Sequence, residues 1–221
     1  MKNFGYIFAL LASFLWGSVS AIGKLLLTNL DSLQVLLFIN LFAFLGLFMI
    51  VWFQNKKMVI RTYKKQDYFT FAWMGFLGVF LYPLFFFGAL KLLPAQETFI
   101  VNYLWPILVV FFAFLILKEQ ITLKKILGII FSFFGIVVVI TNGDFSILHL
   151  SNVFGILLAL AGAIVYGLFS VIGKKHNYDK FVSMMFYYFF SLFYALIAVL
   201  FFFSSASKSL LRSILVVPAI K

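Results

Sequence analysis

Residues Gly5–Lys24 read GYIFALLASFLWGSVSAIGK, and residues Gly155–Lys174 read GILLALAGAIVYGLFSVIGK. At a constant offset of 150, eight of the twenty positions agree: Gly5/Gly155, Ala9/Ala159, Leu10/Leu160, Gly17/Gly167, Ser20/Ser170, Ile22/Ile172, Gly23/Gly173 and Lys24/Lys174. Apolar helices share leucines by composition, but this agreement includes small and polar positions, and Trp16 is answered by Tyr166. The chain reads as one architectural unit followed by the start of a second.

Both copies are long apolar runs, and so is most of the chain between them. Hydrophobic residues make up 65% of the sequence, charged residues 10%, and the mean hydropathy is +1.16. A soluble domain is about half apolar and about a quarter charged, so a water-facing surface is excluded. The pattern predicts helices over residues 4–28, 33–53, 69–93, 95–117, 123–141, 153–173 and 181–203, seven spans near the ~20 residues a bilayer core demands. The first run exceeds the ~7–15 apolar residues of a signal core and lacks a small-x-small cleavage site, which makes it a retained helix. The expected fold class is an all-α, multi-pass membrane protein.

The net charge of +11 has its explanation in where the cations sit. Lys2, Lys56, Lys57, Arg61, Lys64, Lys65, Lys118, Lys124, Lys125, Lys174, Lys175 and Lys180 fall at one set of span ends, whereas the loops 29–32, 92–94 and 142–152 hold no Lys or Arg. This is a topological signal rather than a phosphate-tracking surface, so nucleic acid is not an expected partner. It places the N-terminus in the cytoplasm and the chain in the cell (inner) membrane. The absence of cysteine removes disulfides and thiolate chemistry.

With the N-terminus inside, helix one runs outward and its repeat, helix six, runs inward. Inverted repeats of this kind underlie secondary transporters, whose related halves rock about a central site. The expected domains are a first five-helix repeat over 4–141 and a partial second one over 153–221. Small residues at helical spacing (Gly5, Ala9, Ala12, Ser13, Gly17 and Ser20 on helix one, Gly155, Ala159, Gly162, Ala163, Gly167 and Ser170 on helix six, Gly128, Ser132 and Gly135 on helix five) predict packing seams.

Polar residues within the spans are few. Helix four is richest, with Glu97, Asn102, Tyr103, Trp105 and Pro106. At about 100° per residue, Asn102, Trp105 and Pro106 share a sector, and Pro106 has no N–H to offer the Asn102 carbonyl, which weakens the backbone there. The cavity candidates are Trp16, Ser20, Asn40, Tyr82, Asn102, Tyr103, Trp105, Tyr166 and Ser170. Asn40 reads either as an interhelical hydrogen bond or as cavity lining, and Glu97 either as a hydrated end residue or as a titratable, proton-linked acid facing the cavity. Tyr82-Pro83 predicts a bend in helix three. No metal-ligand spacing, phosphate loop or nucleophile motif appears, so no enzyme activity, cofactor or metal is expected.

Trp16-Gly17 in helix one, Ala89-Leu90 closing helix three, Pro106 in helix four, Glu119 after it and Gly128 with Gly135 in helix five together resemble the EamA family of the drug/metabolite transporter superfamily. The resemblance implies ten helices in two inverted five-helix repeats. It also implies structural roles for Pro106, Glu119, Gly128 and Gly135, and Asn102-Tyr103-Leu104-Trp105-Pro106 is similar to members that export aromatic amino acids. An arginine of family helix two is matched in position by Asn40. Residues 204–221 hold Lys208, Arg212 and Pro218 in a partial apolar run, so helices eight to ten are expected to be missing. The expected function is small-metabolite transport, an amino-acid or drug/metabolite exporter; the alternative is a truncated, non-transporting remnant or a helix-packing subunit. The expected partners are a small-molecule substrate and the lipid bilayer, with a homo-oligomer or a completing subunit as further options.

Overall fold

A computed structural model describes the backbone of residues 2–141, 143–144 and 152–215, with side chains for 5–15, 17–19, 21–139, 141, 143–144 and 152–201. Every regular element among these residues is helical: α1 (Lys2–Leu26), α2 (Ser32–Phe53), α3 (Lys57–Thr62), α4 (Lys65–Met74), a π-helix (Gly75–Leu81), α5 (Tyr82–Leu92), α6 (Ala95–Asn102), α7 (Trp105–Leu117), α8 (Leu123–Thr141), α9 (Val153–Lys174) and α10 (Lys180–Leu215). Six continuous stretches among them are long and apolar enough to cross a membrane: Gly5–Leu26, Ser32–Phe53, Lys65–Leu92, Ala95–Leu117, Val153–Lys174 and Lys180–Phe201. The remaining expected span is α8, whose 19 residues rise about 28 Å, close to the ~30 Å hydrocarbon core. This is an all-α, multi-pass membrane protein.

Several expected boundaries shift. Helix three begins at Lys65, helix four is split into α6 and α7, a short helix stands inside the expected loop 54–68, and α10 runs past Phe203 to Leu215. The split follows from Pro106: with no N–H, it sits in the first turn of α7, where the missing donor costs nothing. The π-helix has a related cause, since a wide turn before Tyr82-Pro83 relieves the clash of the proline ring with the preceding turn.

The chain divides into two compact units. The first comprises residues 1–35 and 81–177 and is centred on α9, which packs against α5, α6 and α7. Small residues make this approach close: a Cβ added at Gly155 would lie 2.7 Å from Leu93 Cγ, and one at Gly167 3.1 Å from Leu108 Cβ. With lipid supplying no hydrophobic drive between helices, such close contact supplies the association energy. Beside it, Val35, Phe86, Phe87 and Leu90 form an apolar cluster with Leu27, Leu30 and Phe99.

The seam expected on α9 is therefore buried, while those expected on α1 and α8 are not. Gly5, Ala9, Ala12, Ser13, Gly128, Ser132 and Gly135 are exposed, and a Cβ at Gly5, Gly128 or Gly135 would meet nothing within 4 Å. The hydroxyls of Ser13 and Ser132 bond back to the carbonyls of Ala9 and Gly128 in their own helices. A small-residue stripe reports that close approach is tolerated; it does not name the helix that approaches.

Cations at both ends of this unit have partners. Lys91 is ion-paired with Asp31, and Lys24 Nζ donates to the carbonyls of Leu90 (2.6 Å) and Leu93 (3.1 Å), satisfying acceptors that the end of α5 leaves open. Lys174, the counterpart of Lys24 in the repeat, is paired with Glu119 at 2.6 Å.

The second unit comprises residues 36–80 and 178–221, in which α10 packs against α4. A Cβ at Gly75 would fall 2.6 Å from the Tyr187 carbonyl oxygen, so glycine alone allows this crossing. Tyr194 donates to the Ala72 carbonyl (3.3 Å), supplying a donor where the α-helical ladder gives way to the π-turn. At one end, Val59 and Ile60 of α3 pack on Val51, Val182 and Met185. There Asp179 accepts from Lys56 Nζ (2.6 Å) and from the backbone N–H groups of Phe181 and Val182, capping α10. Asp67 accepts from Tyr178 Oη at 2.8 Å.

Candidate functional site

The split of helix four puts a polar side chain among aromatic rings inside the first unit. Asn102 closes α6, Tyr103 and Leu104 form the turn, and Trp105 opens α7. Asn102 is 4% exposed, and its Nδ2 donates to Tyr82 Oη at 3.3 Å. The Oδ1 of the same amide is buried and accepts no hydrogen bond from the protein. A buried polar atom left in this way costs about 1–3 kcal/mol, a cost expected at sites that complete their bonding with something else.

The Tyr82 ring that holds this amide is one of three aromatic rings packed in series. The Tyr166 ring on α9 lies 4.7 Å from that of Tyr82 and 5.0 Å, edge-on, from that of Trp105. Gly162, one turn before Tyr166, leaves the side next to the amide open; a Cβ there would sit 3.8 Å from Asn102 Oδ1 and 3.7 Å from Tyr82 Cδ2. The arrangement offers π faces for an apolar or cationic group and one unmet acceptor for an N–H donor.

Of the nine cavity candidates, Tyr82, Asn102, Trp105 and Tyr166 are brought together. Tyr103 has other neighbours: its ring lies tilted, 6.0 Å from that of Phe99, and lines a groove between α7 and α8. Ser170 donates to the Tyr166 carbonyl of its own helix at 2.8 Å. Asn40, in the second unit, is fully buried and donates to Ser191 Oγ at 2.7 Å, so the interhelical reading holds; its Oδ1 also accepts nothing from the protein. The side chains of Trp16 and Ser20 lie outside the described residues. Glu97 is 7% exposed, so in the first turn of α6 it is enclosed by protein rather than standing as a hydrated end residue.

Two participants were not singled out from the sequence. Ser191 is a hydroxyl in the middle of an apolar span, a signal that would have paired it with Asn40. Gly162 was read only as packing. Among the described residues no group of three or more His, Asp or Glu side chains comes together.

The family model that matches this chain is that of the EamA-like transporter family, over residues 3–141. The uncharacterized transporter YyaM of Bacillus subtilis is 30% identical over 120 residues, covering 54% of this chain and 39% of that protein. An uncharacterized transporter of Methanothermobacter thermautotrophicus is 25% identical over 184 residues, covering 78% of this chain and 54% of its own length. The aromatic amino acid exporter YddG of Ancylobacter novellus is 34% identical over 103 residues, covering 46% of this chain and 36% of the exporter. The alignments thus take in between about a third and just over half of these relatives. No solved structure gives a significant match. With the matched region running from α1 through α8, the chain belongs to the EamA-like transporter family.

Proposed function

We propose that this chain is the transport part of a small-metabolite exporter whose substrate is an amino acid or a similarly sized amphipathic amine, and that Tyr82, Asn102, Trp105 and Tyr166 contact it. The observation that carries this reading is the buried Asn102 Oδ1, which lacks a donor in the protein while its amide is held by Tyr82, the first of three rings packed in series. An ammonium group supplies the missing donor and is attracted to the ring faces. The likeness to an aromatic amino acid exporter supports the same substrate class.

In this reading Glu97 is the proton-linked acid, the lysine-rich loops face the cytoplasm, and α1 and α9 are counterparts in two inverted repeats. Rocking of the repeats exposes the site to either side. Flux of labelled phenylalanine in proteoliposomes under an imposed proton gradient tests this. Trp105→Ala lowers flux by about three- to tenfold at unchanged protein level, and Glu97→Gln removes the dependence on the gradient; unchanged flux in Trp105→Ala removes that residue from the site.

A further inference from the structure

Between α7 and α8 the first unit has an open groove of about 380 Å³ that takes no part in the aromatic cluster. Its walls are Pro106 and Val110 from α7 and Gly128 and Phe133 from α8, and Lys124 and Lys125 stand at one end. From Lys125 to Ile136, which lines the opposite end, α8 rises about 16 Å. That matches one leaflet, half of a hydrocarbon core of about 30 Å. The lysines are therefore at headgroup level and the apolar walls at acyl-chain level.

The charge at the mouth is unbalanced. The loop from Lys118 to Lys125 has a single carboxylate, Glu119, and it is paired with Lys174. Lys125 Nζ makes only a long contact of 3.4 Å with the Gln120 carbonyl. Neither ammonium group forms an ion pair among the described residues; Lys125 acts on Glu119 only through its charge, and that carboxylate is bonded to Lys174. We infer that the α7–α8 groove is a binding site for an anionic phospholipid, with its phosphate on Lys124 and Lys125 and an acyl chain laid along Gly128 and Pro106. This requires only that the chain spans a bilayer and does not rest on the proposed substrate.

The full chain, reconstituted in nanodiscs of mixed phosphatidylcholine and phosphatidylglycerol and released for native mass spectrometry, tests the assignment. Phosphatidylglycerol is expected to be retained preferentially, and Lys124→Gln with Lys125→Gln to lower that preference about tenfold or more. Gly128→Leu directs a side chain into the groove from a position where its Cβ meets nothing within 4 Å. It is expected to lose the lipid while both lysines remain. Equal retention of the two lipids, or retention unchanged by Gly128→Leu, overturns the site. A change of oligomeric state in Gly128→Leu without lipid loss also overturns it, by assigning the groove to contact between copies of the chain.

Discussion

Asn102 and Tyr82 share one hydrogen bond, Nδ2 to Oη at 3.3 Å, and the amide's other end has no protein partner. The two ends of one side chain thus differ: one fixes α6 against α5, and the other is the end proposed above to meet the substrate. Tyr82→Phe removes the acceptor and is expected to lower thermal stability by about 1 kcal/mol. Asn102→Leu removes the orphaned oxygen, which offsets the cost of leaving the Tyr82 hydroxyl without its donor, and is expected to be less destabilising than Tyr82→Phe while abolishing substrate-induced stabilisation. Melting curves in detergent, with and without phenylalanine, separate the two effects; a loss of stability in Asn102→Leu equal to that in Tyr82→Phe would count against the division of labour.

Asp179 gives the second unit a pH dependence of known sign. Burial pushes its carboxyl up, but the Lys56 hydrogen bond and the backbone N–H groups of Val182 and Phe181 outweigh it and hold the carboxyl below its ordinary 3.8. A depressed folded value stabilises above the unfolded pKa, and that stability is lost as pH falls through the folded value. Asp179→Asn is expected to destabilise at pH 7 by about 1–2 kcal/mol and to flatten the acid side of the profile below pH ~4. Melting temperature against pH for the two proteins checks this; parallel profiles would remove Asp179 as the source.

Glu119 behaves with the same sign, since the Lys174 hydrogen bond and charge hold its carboxyl below its ordinary 4.5. The pair is well exposed, so salt is expected to screen it. Glu119→Gln should shift melting less in 1 M salt than in dilute buffer; a salt-independent shift would contradict a solvent-screened pair.

Glycine substitutions rank the helix crossings. Gly75→Ala sets a methyl 2.6 Å from the Tyr187 backbone oxygen, and backbone yields only if α4 and α10 part, at a cost of about 2–3 kcal/mol. Gly155→Ala meets Leu93 Cγ at 2.7 Å and Leu92 Cβ at 3.1 Å, side-chain atoms close to the backbone, and is expected to cost less than Gly75→Ala but more than Gly128→Ala. Gly128→Ala meets nothing and should be neutral or stabilising by about 0.5–1 kcal/mol. Urea or thermal unfolding in detergent orders the three, and Gly128→Ala as the most damaging would refute the packing described.

The spans were legible because each is a run of apolar residues long enough for a bilayer, and their ends because lysines cluster there. Four of the nine cavity candidates lie together in the structure, and they stood out in the sequence because Trp, Tyr and Asn within a span are polar groups that need partners. Other features depend on partners that no local pattern names. The fit of Gly75 against Tyr187 is set by a residue 112 positions away (187 − 75), and Asn40 finds Ser191 at a separation of 151. The stripes on α1 and α8 look like that on α9 in sequence, yet among the described residues the small residues of the stripe are buried on α9 from Gly155 to Gly167 and exposed on α1 and α8.

Side-specific labelling is the most direct test of the central claim that α1 and α9 are counterparts running oppositely across the bilayer. The chain has no cysteine, so Asn29→Cys and His176→Cys can each carry the sole thiol in intact cells. Five crossings between them, α8 included, place the two thiols in different compartments: Asn29→Cys reacts with a membrane-impermeant maleimide from outside and His176→Cys only after lysis. Reaction of both from the same side would mean an even number of crossings, and the inverted arrangement would be wrong.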